Sequence, residues 1–169
     1  MSMSFTKWTK AVLPVLFFCM PAAVWAQAAI SYAKVKKDLE LPGDNRSPVL
    51  VFIINTHSDC AMCNLKTYSI WNDTAIQQIP HSNKVLLMRD IRKVERKFYE
   101  QRFSFMENPV KIITNGRLYD QYMQLIPRSS PQGGVAIFSA DSTQCIYPFN
   151  TAAGYTSLVD CFLAGSRAE

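Results

Sequence analysis

Six consecutive apolar residues, Val49-Leu50-Val51-Phe52-Ile53-Ile54, stand in this chain with no polar residue among them. A strand with one wet face alternates apolar and polar side chains, so an unbroken, largely β-branched run belongs in a strand covered on both faces. The run is therefore expected to be the central strand of a sheet. Just after it, Thr56, Ser58 and Asp59 offer the short polar side chains that cap helices, and Met62, Leu65 and Tyr68 recur at helical spacing. Cys60-Ala61-Met62-Cys63 falls between cap and helix, which puts two cysteines at a strand-to-helix junction.

The pattern then repeats. Asn72-Asp73-Thr74 punctuates the first helix, 76–79 continues it and Pro80 stops it. Lys84–Met88 reads as a second apolar strand, and Ile91, Val94, Phe98 and Phe105 form a helical stripe interrupted by Arg102. Strand, helix, strand, helix implies a parallel sheet with right-handed crossovers. Asn115-Gly116, flanked by the apolar stretches 110–113 and 118–122, predicts a two-residue hairpin. Beyond a Pro-, Gly- and Ser-containing loop at 127–134, a second hairpin is expected over 135–138 and 145–149 around Asp141-Ser142. A terminal amphipathic helix follows over 155–163. Residues 30–40 suggest a short amphipathic helix closed by Pro42-Gly43-Asp44-Asn45. With 169 residues, 49% of them apolar and 18% charged, the chain can bury enough surface to offset its conformational entropy, which excludes a disordered protein and fits one domain.

Residues 1–26 read as a secretory leader. Lys7 and Lys10 precede an uncharged apolar stretch at 11–24, and Val24-Trp25-Ala26 or Ala26-Gln27-Ala28 supplies a small-x-small cleavage signal. The stretch is shorter than the about 20 residues of a spanning helix and is broken by Pro14 and Pro21, so no stable membrane span is expected after the leader is removed. Phe18 is too bulky to precede a lipidated Cys19. Without the leader, the 18 Lys and Arg lose Lys7 and Lys10 and stand against 13 Asp and Glu, a net charge of about +3, too mild for a nucleic-acid footprint. The basic stretch 89–97 includes Asp90 and Glu95 at helical spacing and reads as a solvated face. An exported chain meets an oxidising compartment, periplasmic or extracellular, where paired cysteines persist. The four remaining, Cys60, Cys63, Cys145 and Cys161, allow three pairings.

Two cysteines three apart in the first turn of a helix can close a small disulfide ring, with the first sulfur aimed at unsatisfied backbone N–H groups. The helix dipole contributes at most ~2 kcal/mol, and one pKa unit is ~1.36 kcal/mol, so it alone can bring a thiol from ~8.5 to about 7. Asp59 beside Cys60 opposes that effect, and His57 stands near the site as a second pKa-modulating candidate.

The order of strand Val49–Ile54, Cys-Ala-Met-Cys opening a helix, strand Lys84–Met88, helix, hairpin and terminal helix resembles the thioredoxin fold. It is similar to the exported thioredoxin-like thiol:disulfide oxidoreductases. The resemblance implies an α/β three-layer sandwich: a central mixed sheet in a thioredoxin-like domain over 48–165, after an N-terminal extension over 27–47. Residues 103–127 exceed what a minimal fold of that kind needs and are read as an inserted β-hairpin that shapes or restricts substrate access. It implies that Cys60 attacks a partner's disulfide and Cys63 resolves the mixed disulfide. It also implies a cis-proline before the penultimate strand that binds substrate backbone; Ser130-Pro131 is the candidate and Asn108-Pro109 the alternative. Cys145 and Cys161 would form a structural disulfide between the last hairpin and the last helix. No cofactor or metal is required, and the partners are proteins bearing thiols or disulfides together with a redox partner protein. Two other classes compete: a Cu(I)-binding metallochaperone-like protein using Cys60, Cys63 and His57 or Met62, and a thioredoxin-fold binding module of an envelope assembly.

Overall fold

The computed structural model describes residues 29–43, 46–56, 60–90, 96–97, 100–101, 103, 105–106, 110–141 and 143–166. The expected leader lies outside the described residues, as do Asp44, Asn45, His57, Ser58, Asp59, Pro109, Ser142 and Ile91, Val94 and Phe98 of the helical stripe. In chain order the elements are α1 (Tyr32–Asp38), β1 (Val49–Ile54), α2 (Ala61–Trp71), α3 (Thr74–Gln77), a 3-10 turn (His81–Asn83) and β2 (Lys84–Met88). They continue with β3 (Lys111–Thr114), α4 (Gly116–Met123), β4 (Gly133–Phe138), β5 (Gln144–Pro148) and α5 (Thr156–Ser166). The strands form one mixed sheet in the order β3-β2-β1-β4-β5. β1 pairs parallel with β2 and antiparallel with β4; β3 is parallel to β2, and β5 is antiparallel to β4.

Alternation along the strand splits the apolar run between two cores. Leu50, Phe52 and Ile54 share one core with Cys63, Ile70 and Trp71 of α2, Ile76 of α3, and Leu158 and Phe162 of α5. Val49, Val51 and Ile53 share the other with Val35 of α1 and Tyr119 and Tyr122 of α4. All six β1 residues are buried, so the unbroken run does mark the central strand, with helices on both faces of the sheet.

Local signals explain most boundaries. Ser31 Oγ caps α1 by accepting the Lys34 N–H at 3.3 Å. Asn72 caps the end of α2 and Asp73 opens α3, its Oδ1 accepting from the N–H groups of Ala75 (2.9 Å) and Ile76 (3.4 Å). Gly133 and Gly134 let β4 press onto its neighbours. At Gly133 φ is +110°, and an added Cβ would stand 1.9 Å from the Ile53 carbonyl oxygen; at Gly134 it would stand 2.6 Å from that of Tyr147.

The structure corrects the expected inserted hairpin. Residues 111–114 form an edge strand parallel to β2, and Asn115-Gly116 starts α4 instead of turning the chain back. Asn115 is in an extended conformation and its Oδ1 accepts the Leu118 N–H at 3.1 Å, so the side chain satisfies a helix donor. Tyr119 and Tyr122, three apart, then face the core, a helical period within a stretch where apolar residues are dense enough to suggest a strand. This segment therefore closes one edge of the sheet and covers one face.

Candidate functional site

β1 delivers the chain to the site along a fixed path. Just past its end, the Asn55 N–H donates to the Gln132 carbonyl (3.1 Å) and Asn55 Nδ2 to the Pro131 carbonyl (2.8 Å), while Thr56 Oγ1 donates to the Asp90 carbonyl (3.2 Å). The exit from the central strand is thus tied to the loop before β4 on one side and to the end of β2 on the other.

Cys60 is the N-cap of α2. Its Sγ accepts the Cys63 N–H at 3.1 Å, so the sulfur occupies the place where Ser or Asp oxygen commonly caps a helix. Cys60 and Cys63 are joined as a disulfide, with Cα atoms 5.2 Å apart. The two sulfurs are not equally accessible: Cys63 is 5% exposed and packed in the core, whereas Cys60 is half-buried. A reactant from solvent meets Cys60 first. The first turn of α2 holds no acidic side chain, so within that turn nothing opposes the pull of the backbone donors on a thiolate. Asp59 and His57, the two expected modulators, lie outside the described residues.

α2 presents its apolar residues unexpectedly. Its buried side is made of Cys63, Thr67, Ile70 and Trp71, with Thr67 Oγ1 donating to the Cys63 carbonyl at 2.7 Å. The stripe that signalled the helix, Met62, Leu65 and Tyr68, faces outward at 58%, 62% and 50% exposure, and Tyr68 meets Phe105 edge-on at 5.0 Å. This outward stripe begins inside the Cys-x-x-Cys ring itself. Lys66, which the sequence does not single out, clamps the helix: its Nζ donates to the carbonyls of Phe149 (2.7 Å) and Thr151 (2.6 Å) and lies 5.4 Å from the Tyr147 ring. Lys66 is the one charged residue of α2, and that was the signal available.

Ser130 and Pro131 sit in the loop tied to Asn55, beside the exit of β1. Ser130 is fully buried and its hydroxyl is engaged within the protein, donating to the Gly133 carbonyl (2.8 Å) and accepting the Asn150 N–H (3.2 Å), so the side chain holds the loop. Pro131 is exposed. No cis peptide bond occurs among the described residues, which corrects the expected cis geometry of Ser130-Pro131; Gly133, at positive φ, makes the backbone adjustment that enters β4. The alternative, Pro109, lies outside the described residues. Away from this site, Cys145 of β5 and Cys161 of α5 are disulfide-bonded with Cα atoms 5.8 Å apart. Among the described residues, no three His, Cys, Asp or Glu are gathered as around a metal ion, and no helix is long and apolar enough to cross a membrane.

No protein-family model, curated protein or solved structure matches the chain.

Proposed function

We propose that Cys60-Ala61-Met62-Cys63 is a thiol:disulfide exchange centre on a thioredoxin-like sheet, in an exported chain that acts on protein thiols and disulfides. The observation that carries this is the asymmetry of the pair: an accessible sulfur capping a helix, joined to a buried sulfur one turn along. A five-strand mixed sheet with helices on both faces, and the pair at the exit of its central strand, is compatible with that fold.

In the reduced protein, Cys60 gives up its proton and its thiolate attacks one sulfur of a partner disulfide. That bond breaks, its second sulfur leaves as a thiolate and takes up a proton, and a Cys60–partner disulfide remains. Cys63, losing its proton, then attacks Cys60 Sγ; the partner sulfur still bonded to Cys60 departs and is protonated, and the Cys60–Cys63 bond re-forms. Two electrons and two protons pass to the partner. Run backwards, the same steps oxidise a partner dithiol. The outward Met62, Leu65 and Tyr68 supply an apolar surface next to the reacting sulfur, which supports a macromolecular partner over a small thiol.

Two variants test the assignment. Cys63→Ser, incubated with an oxidised dithiol peptide, should accumulate a mixed disulfide that dithiothreitol releases; Cys60→Ser should accumulate little, because its remaining sulfur is buried. Equal trapping by both variants removes the assigned roles. Stoichiometric copper in protein purified from its own compartment favours the metallochaperone instead.

A further inference from the structure

At the opposite end of α2, Lys84 opens β2 and is 1% exposed. Its Nζ lies 4.6 Å from the centroid of the Trp71 ring. Among the described residues it donates to no hydrogen-bond acceptor, and no carboxylate stands within ion-pair distance. A ring face replaces only part of an ammonium's hydration, and a buried charge ordinarily has an anionic or hydrogen-bonding partner. Lys66 shows the usual solution, with two carbonyls. Lys84 forms part of the wall of a cavity of about 350 Å³ that is also lined by Trp71, Asn72, Gln77, His81 and Phe105. Asn72, Gln77 and His81 are exposed, so the cavity opens to solvent at a polar rim above a buried cation. The His81 ring stands edge-on to Trp71 at 5.7 Å, completing an aromatic wall.

We propose that this cavity binds a small oxyanion, a carboxylate or phosphate group, with Lys84 Nζ as its charge partner and the Gln77 amide and His81 imidazole as hydrogen-bond donors at the rim. The site is separate from the cysteine pair: α2 spans eleven residues, about 16 Å, between Cys60 and the Trp71 end. Burial pushes the Lys84 ammonium below the ordinary lysine range, the direction expected of a cation whose hydration is reduced with no anion in place. A bound oxyanion supplies the missing partner.

The test titrates the full chain with sodium acetate and, separately, with sodium phosphate, at constant ionic strength set with chloride. Thermal midpoint and tryptophan emission are followed. A saturable rise in the midpoint together with an emission change is expected for at least one anion, and the arm that saturates at the lower concentration identifies the headgroup. Lys84→Met keeps an unbranched side chain against Trp71 and should weaken the response about tenfold or more. Gln77→Ala and His81→Ala, on the exposed rim, should each weaken it in a chain whose core is untouched, which keeps the test decisive if Lys84→Met does not fold. No saturation with either anion overturns the proposal, as does a response that Lys84→Met, or both rim variants, leave unchanged.

Discussion

Tyr122 is fully buried with its ring against Phe138 at 6.0 Å, and its hydroxyl has no hydrogen-bond partner among the described residues. Removing an unsatisfied buried hydroxyl while keeping the ring is therefore expected to raise stability. Tyr122→Phe should gain about 1 kcal/mol in urea unfolding at neutral pH. Its neighbour Tyr119 adds a pH dependence. Burial, with the Asp120 charge, against a smaller opposing pull from Arg89, pushes the Tyr119 phenol from its ordinary 10.0 up to about 12. Burial raises Tyr122 as well. Unfolded, these phenols release their protons at lower pH than when folded. Their contribution is fully present below pH 10 and is lost as pH climbs from 10 towards about 12. Tyr119→Phe should move the alkaline unfolding midpoint, followed by circular dichroism, to higher pH. An unchanged midpoint would assign the alkaline limb to other groups.

At the scale of elements, Asn115 separates two structures that share one dipeptide. A tight hairpin needs Asn because it tolerates positive φ, whereas a helix cap needs only a short side-chain acceptor. Asn115→Ser should cost a few tenths of a kcal/mol and Asn115→Ala about 1 kcal/mol, measured by denaturant unfolding. Had 111–123 been a hairpin, Ser would be as damaging as Ala. The sequence makes β1 and β2 legible because a strand buried on both faces tolerates no polar residue, and both runs are unbroken from the second residue onward. Its account of β4 and β5 also holds, since the antiparallel pair lies where the two apolar runs flank Asp141. It misplaces α4 because local turn chemistry cannot tell whether Asn-Gly faces another strand or an incoming helix; the empty place beside β2 decides that. It also leaves open which side of α2 is wet. Met62, Leu65 and Tyr68 have the right period, but Cys63, Thr67, Ile70 and Trp71 share it and reach the core. The glycines before β4 mark a loop in sequence and a backbone contact in space. Gly133→Ala, forced into the Ile53 carbonyl at positive φ, should lose several times the ~1 kcal/mol of an ordinary glycine substitution or fail to fold, as read by denaturant unfolding and soluble yield.

Across the whole molecule the two disulfides act at different places and should behave differently. Cys145–Cys161 ties the edge strand β5 to α5 and closes 16 residues, for which loop entropy gives ~3 kcal/mol of stabilisation. Replacing both cysteines with Ala should lower unfolding free energy by about 2–4 kcal/mol while leaving exchange at Cys60 intact. Cys60–Cys63 closes a single turn and is placed for access. The most direct measurement of its role is equilibration of the full chain in glutathione buffers of graded potential, with each pair's oxidation state read by alkylation and mass spectrometry. Thiol exchange at the strand-to-helix junction requires a Cys60–Cys63 potential between about −270 and about −120 mV, with Cys145–Cys161 more negative. A Cys60–Cys63 potential below about −300 mV, where inert structural disulfides lie, contradicts it.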